Sequence, residues 1–293
     1  MAQSIPVIFD TDIGSDIDDA IALSYLLKQP RCELVGITTV TGSVAQRAGC
    51  ADVICRRLNR TDVPIHCGAS NVLWIGPGQA EAPQFEFIRD LPQRKDWPKN
   101  TAVDFLRETI RNRPGEITLL TTGPLTNIAL LFAIDPEIPL LLKGMVSMAG
   151  VFFREGPKLE WNCLVDPIAT AMVYRARPPW HISIGLDVTL QCVMPATEVR
   201  RRFTPAPLPV VAQMAETWLS KGWDFTFHDP LAAATVFHPE LCTYEDGEVR
   251  LAIDPTAEKT GDTILTAMQG KAPHRVAKGV NVEAFFREYF SVF

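Results

Sequence analysis

The 293-residue chain has no Cys-x-x-Cys pair, no run approaching the roughly 20 apolar residues of a membrane span, and no surplus of positive charge. Each absence excludes a class of protein. The seven cysteines, at 32, 50, 55, 67, 163, 192 and 242, form an odd, scattered set. That argues against a disulfide framework and against a zinc knuckle, and leaves free core thiols as the expectation. The 28 basic and 34 acidic residues give a formal net charge of -6. Phosphate binding needs a basic face, so nucleic acid is excluded as a main partner and a small polar substrate fits better. Neither Gly-x-Gly-x-x-Gly after a strand nor Gly-x-x-x-x-Gly-Lys-Ser/Thr occurs, so no nucleotide cofactor is expected. Residues 1 to 30 lack the basic start, apolar stretch and cleavage site of a secretion signal, which predicts a soluble cytoplasmic protein with no membrane partner.

What the chain does have is acid in one place. After Val7-Ile8-Phe9 come Asp10, Asp12, Asp16, Asp18 and Asp19, and the span from Asp12 to Asp19 holds four carboxylates around Gly14. Carboxylates this close repel one another strongly, so some must protonate or share a cation. An all-oxygen ligand set on a flexible loop favours a hard ion, calcium ahead of magnesium. Capping of the helix that begins near Asp18 accounts for one or two of these aspartates, not four.

Short apolar runs rich in β-branched residues alternate with helical patterns. Strands are predicted near 6–9, 34–39, 63–67, 117–121, 145–149 and 181–185, with helices near 18–28, 43–58, 101–112, 125–134 and 167–176. Beyond 190 the pattern gives helices around 195–203, 208–221 and 230–237, strands at 241–253 and 262–267, and a last helix from 281. The rhythm predicts an α/β fold: one domain over 1–293, built on an open, mostly parallel twisted sheet flanked by helices. Ligands of such sheets sit outside the carboxyl ends of the strands, where the aspartate loop, Thr121-Thr122-Gly123 and the segment after Ala149 all emerge. Residues 68–98, rich in Gly and Pro, read as a long surface loop in position to cover that site.

Four segments then stand in order: Asp10-Thr11-Asp12-Ile13-Gly14-Ser15-Asp16-Ile17-Asp18-Asp19-Ala20; Thr122-Gly123-Pro124-Leu125-Thr126-Asn127; Glu160-Trp161-Asn162 with Asp166-Pro167; and His228-Asp229-Pro230-Leu231-Ala232. Together they resemble the inosine-uridine preferring nucleoside hydrolase family. Thr61-Asp62-Val63-Pro64-Ile65 and Gly185-Leu186-Asp187-Val188-Thr189 extend the resemblance from residue 6 to about 290. It implies a Rossmann-like core, hydrolysis of the N-glycosidic bond of ribonucleosides, a tightly held calcium ion and a homodimer or homotetramer. It also implies Asp12, Asp19 and Asp229 as side-chain ligands, with the main-chain carbonyl of Thr122 as a further one. By the same resemblance Asp18 meets the ribose hydroxyls, Glu160 and Asn162 are the sugar-binding pair, and His228 stands near the leaving base.

The chemistry suits these residue types. Breaking a ribosyl C–N bond builds positive charge on the sugar, which neighbouring carboxylates stabilise. Asp12 is the candidate general base, taking a proton from the attacking water. Plainer readings stand beside these: Asp229 before Pro230 as a helix N-cap, His228 as a structural pocket-edge histidine, Asp10 as a support for loop or ligand, Asp187 as a buried structural carboxylate, Asn127 as a turn-orienting group and Cys163 as packing. Two extra residues between Gly14 and Asp18 leave open whether Asp16 or Asp18 faces the sugar.

Two positions depart from the family's pattern. Ser43 stands where an asparagine usually reaches the sugar, and Arg154 where another asparagine faces the ribose 5' end. Both are carried as substrate-binding candidates, Arg154 with two readings: a partner for an anionic 5' group, or an ion pair with Glu155 or Asp166. The alternatives are therefore a hydrolase of a modified or 5'-phosphorylated nucleoside, and a binding homologue without turnover. Asp10-x-Asp12 after a strand also resembles haloacid-dehalogenase-type phosphatases, but Gly14 stands where those need threonine or valine.

Overall fold

The computed structural model describes residues 4–257 and 260–293. Its strands are β1 (Ile5–Thr11), β2 (Cys32–Thr39), β3 (Ile65–Cys67), β4 (Thr118–Thr121), β5 (Gly144–Ser147), β6 (His181–Ser183), β7 (Val193–Met194), β8 (Phe225–Thr226), β9 (Cys242–Ala252), β10 (Asp262–Ala267) and β11 (His274–Val280). Nine of them form one sheet in the order β10-β9-β11-β6-β5-β4-β1-β2-β3, while β7 and β8 pair as a small ribbon. From β11 to β3 every neighbouring pair is parallel; β9 alone runs against β10 and β11. The sheet is thus the expected open, mostly parallel one.

Alternation along the strands builds a core on each face. Val7 and Phe9 of β1 join Leu120 and Val146 in one cluster, with Ile21, Ile54, Ala233 and Phe285 from the helices Asp18–Lys28, Val44–Arg57, His228–Phe237 and Val282–Ser291. Ile8, Leu119 and Met145 join the other, with Leu106, Ile128 and Val173 from the helices Ala102–Asn112, Thr126–Ile134 and Pro167–Arg175. The result is three layers, helix on sheet on helix.

The chain leaves β1 outward through β2 and β3, then returns to lay β4 on the other side of β1, with Asp10 opposite Thr121. This is the switch point of the sheet, where a crevice opens beyond the strands' carboxyl ends. Asp12 and Thr122 are its first residues on either side.

The differences from expectation are local. β11 was not foreseen; Arg275 and Lys278 leave it only Val276-Ala277 between charges, and its pairing with β9 shifts register between Ala277 and Gly279. The single helix expected over 208–221 is two, Leu208–Met214 and Glu216–Lys221, meeting at Ala215 without a glycine or proline to mark the break. Short helices at Trp161–Val165 and Leu186–Thr189 were also missed. The 68–98 segment is irregular apart from a 3-10 turn, Pro83–Phe87. Gly42 lets it pack closely, because φ there is +60° and a Cβ would meet the main-chain oxygens of Gln79 and Ala80.

Candidate active site

A cavity of about 300 Å³ lies at the switch point, lined by Asp12, Asp16, Asp18, Asp19, Gln79, Thr122, Met148, Glu160, Trp161, Asn162, Leu186, His228 and Asp229. Segments more than 200 residues apart therefore share one wall, since Asp229 N donates to Asp18 Oδ2 at 3.2 Å. Six of the lining residues are acids and none is lysine or arginine.

The floor is built where the fold leaves little room. Asp18 and Asp19 open the helix Asp18–Lys28, and Asp229 lies in the first turn of the helix His228–Phe237. Carboxylates at helix N-termini are favoured by the orphan N–H groups and the dipole. The N-cap of the second helix is Phe227, so Asp229 does not fill the capping role that its Pro230 neighbour suggested. One carboxylate oxygen each from Asp18, Asp19 and Asp229 lies within 4.8 Å of the others, and all three residues are buried. Asp12 lines the same cavity outside that tight group. The hydroxyls of Thr11 and Thr122 both donate to Asp19 Oδ1, the latter at 2.8 Å.

Electrostatics follow from this packing. Asp12, Asp18, Asp19 and Asp229 are each no more than 5 % exposed. Burial, then repulsion from Asp16 and Asp19, pushes the Asp18 carboxyl well above the ordinary range. Burial with Asp18, Asp19 and Asp12 does the same to Asp229, and burial with Asp19 does so to Asp12. Asp19 rises only to about 6, since burial is opposed by the two threonine hydroxyls and the charge of Arg47. These carboxylates cannot all be anions near neutral pH without a cation among them, and the oxygen-only donor set fits a hard divalent ion.

The second wall comes from the strand ends of β4 and β5. Glu160 caps the helix Trp161–Val165: its Oε1 accepts from Asn162 N at 2.8 Å, and its Oε2 from Gly150 N and Cys163 N, both at 3.1 Å. Burial raises its carboxyl, and those three N–H groups hold it back. Asn162 Nδ2 donates to the main-chain oxygens of Thr122 at 2.7 Å and Met148 at 3.0 Å, tying the two strand exits together. His228 Nδ1 lies 2.7 Å from Thr189 Oγ1, and burial lowers its pKa to about 4, so the ring is neutral near pH 7.

Ser43 and Arg154, the two departures, are not among the lining residues. Ser43 Oγ donates to Ala80 O at 2.9 Å, holding the 68–98 segment rather than facing the cavity. Arg154 is exposed, and its main-chain N donates to Asp187. Neither suggested ion pair forms: Asp166 is fully buried and accepts instead from Leu73 N, Thr126 Oγ1 and Ala169 N. Asp187 is half-buried and accepts the N–H groups of Phe152, Phe153 and Arg154, a structural task. Asn127 bridges Ala69 N, Thr39 O and Asp10 Oδ2. Asp10 accepts from Asn127 and Thr38 rather than from loop amides, its Oδ1 has no partner, and burial raises its carboxyl to about 7.

Three lining residues, Gln79, Met148 and Leu186, carry no chemical signature in the sequence, whereas Asp16 and Asp18, the two alternatives for the sugar, both line the cavity. Behind the acidic loop lies a residue missed altogether, the fully buried Arg47. The only available signal was a charge on the inward face of the helix Val44–Arg57.

A family model described as "Inosine-uridine preferring nucleoside hydrolase" matches residues 7–287. The pyrimidine-specific ribonucleoside hydrolase RihA of Citrobacter koseri is 32% identical over 258 residues, 82% of this chain and 82% of its own length. An uncharacterized protein of Schizosaccharomyces pombe is 34% identical over 273 residues, 87% of this chain and 86% of its own. Among solved structures, the purine-preferring ribonucleoside hydrolase from Gardnerella vaginalis superposes with a TM-score of 0.81 at 27% identity, covering 98% of this chain and 97% of that one. The plant nucleoside hydrolase PpNRh1 shares the fold, with a TM-score of 0.82 at 23% identity and 98% coverage of both chains. By these matches the chain is an N-glycosyl hydrolase acting on ribonucleosides. The chain belongs to the inosine-uridine preferring nucleoside hydrolase family.

Proposed function

We propose that the chain uses calcium to hydrolyse the N-glycosidic bond of ribonucleosides to ribose and free base. The observation that carries this reading is the buried convergence of Asp18, Asp19 and Asp229 in a cavity lined by six acids. Asp12, Asp19, Asp229 and the Thr122 main-chain oxygen would hold the ion, which supplies an acidified water and an anchor for a vicinal diol when bound.

The remaining work falls to the chain itself. Asp12 accepts the proton of the attacking water. Asp18 receives hydrogen bonds from the ribose hydroxyls, and Glu160 and Asn162 hold the sugar against the strand exits. As the C–N bond opens, positive charge on the ring is stabilised by carboxylates already fixed around it, with no reorganisation at the moment of reaction. The base departs as its anion and takes a proton from solvent, to which Asp12 returns the one it accepted; His228, neutral and anchored through Thr189, stands beside it. Ser43 and Arg154 have no direct contact with the substrate in this scheme, since neither lines the cavity.

The base is left unspecified, because the named relatives differ: one is called pyrimidine-specific and another purine-preferring. An acid-lined cavity without lysine or arginine disfavours a phosphorylated substrate. Among the described residues no helix is long and apolar enough to cross a membrane. A cytoplasmic homodimer or homotetramer is proposed with the activity, and light scattering measures the assembly. The activity is tested by assaying free base from common ribonucleosides, a deoxyribonucleoside and a 5'-nucleotide, in calcium and in chelator. The expected result is base release from at least one ribonucleoside, abolished by chelation and restored by calcium.

A further inference from the structure

Arg47 is the only lysine or arginine among the described residues with its side chain fully shielded from water. Burying a guanidinium is costly unless its donors are satisfied, and the usual partner is a carboxylate. Here every acceptor is neutral. Nε donates to Thr41 O at 2.7 Å; Nη1 donates to Asp12 O, to Ile13 O at 3.2 Å and to Ser15 Oγ at 2.8 Å; Nη2 donates to Gln79 O at 3.1 Å and Glu81 O at 3.2 Å. One planar group thus binds three pieces of chain: the turn after β2, the acidic loop 12–15 and the segment 79–81.

Two of those pieces form the cavity. Asp12 comes from the acidic loop and Gln79 from the segment lying over it, and both line the site. We propose that Arg47 is a positioning residue, fastening the acidic loop to the covering segment so that the carboxylates and the cover are ordered together around the sugar. This rests on the reading of the cavity as a nucleoside site. A lysine cannot do the same work, since one ammonium cannot reach acceptors on both sides of the fork.

The contacts that survive its loss make the test clean. Ser43 N still donates to Ala80 O at 3.0 Å, Gln84 N to Gly14 O at 3.1 Å, and Gln84 Nε2 to Ser15 O at 3.1 Å. The covering segment therefore stays docked in an Arg47→Lys variant, but more loosely.

The experiment compares wild type, Arg47→Lys and Arg47→Ala by steady-state kinetics on the best nucleoside substrate and by hydrogen–deuterium exchange with mass spectrometry. For Arg47→Lys the expected result is a KM raised about tenfold or more with a smaller fall in kcat. Exchange should speed up in 12–15 and 79–81 and stay unchanged in the distant helix Ala102–Asn112. Millimolar guanidinium should restore the lost KM in Arg47→Ala. Wild-type KM and exchange in the lysine variant, or faster exchange spread evenly through the chain, overturns the proposal. Should wild type release base from no nucleoside, the functional reading fails, and exchange at 12–15 and 79–81 still decides the role of Arg47.

Discussion

Asp10 measures how strongly the fold resists negative charge behind the acidic loop. Its carboxyl is fully buried; Oδ2 accepts from Thr38 Oγ1 and Asn127 Nδ2, and Oδ1 has no partner. Burial raises its pKa from the ordinary 3.8 to about 7. A carboxyl held above its unfolded value favours folding while protonated. Its contribution is whole below the unfolded pKa and is lost as pH rises through about 7. At about 1.4 kcal/mol per pH unit, ionising Asp10 costs the folded state about 4 kcal/mol, of which about 3 falls between pH 5 and pH 8. Asparagine keeps the shape and offers its oxygen to the same two donors, leaving an unpartnered NH2 as a cost independent of pH. Urea unfolding of wild type and Asp10→Asn, both in chelator, at pH 5, 6.5 and 8 reads the difference directly. The variant should gain on wild type by about 3 kcal/mol from pH 5 to pH 8. Parallel stability curves for the two proteins would mean that Asp10 ionises in the folded state without that penalty.

Three further outcomes follow from the same geometry. Asp12→Ala should fold and lose kcat by about a thousandfold, the range expected when a general base is removed; near-normal turnover rejects Asp12 as base and ligand. Asp166→Ala strips the cap from the helix Pro167–Arg175 and the partners of Leu73 N and Thr126 Oγ1. Thermal or chemical unfolding should show a loss of about 2–3 kcal/mol, with kcat/KM per folded molecule within about twofold of wild type. A nucleoside 5'-monophosphate should be hydrolysed at least about tenfold less efficiently than its nucleoside, because charge repulsion in the cavity opposes the phosphate; a preference for the phosphate contradicts this.

The central parallel strands were legible because they are short apolar runs buried on both faces, as in Val7-Ile8-Phe9 and Leu119-Leu120. β11 was not, since Arg275 and Lys278 leave it without such a run although it lies inside the sheet. The cavity's acids were legible as a local excess of charge that capping could not absorb. Its tightest group, Asp18, Asp19 and Asp229, was less so, because it brings together the first turns of two helices 211 residues apart along the chain. Ser43 and Arg154 were placed by position in a pattern, and positions do not say where a side chain turns. Arg47 escaped because one arginine on a helix gives no hint that its acceptors come from three distant carbonyl-bearing segments.

The convergence of Asp229 with the N-terminal acidic loop is tested most directly by titrating calcium into exhaustively chelated protein by calorimetry, for wild type and Asp229→Asn. One ion per chain should bind wild type, and the variant should bind at least about a hundredfold more weakly. Absence of calcium binding by wild type, with undiminished base release in chelator, would contradict the account.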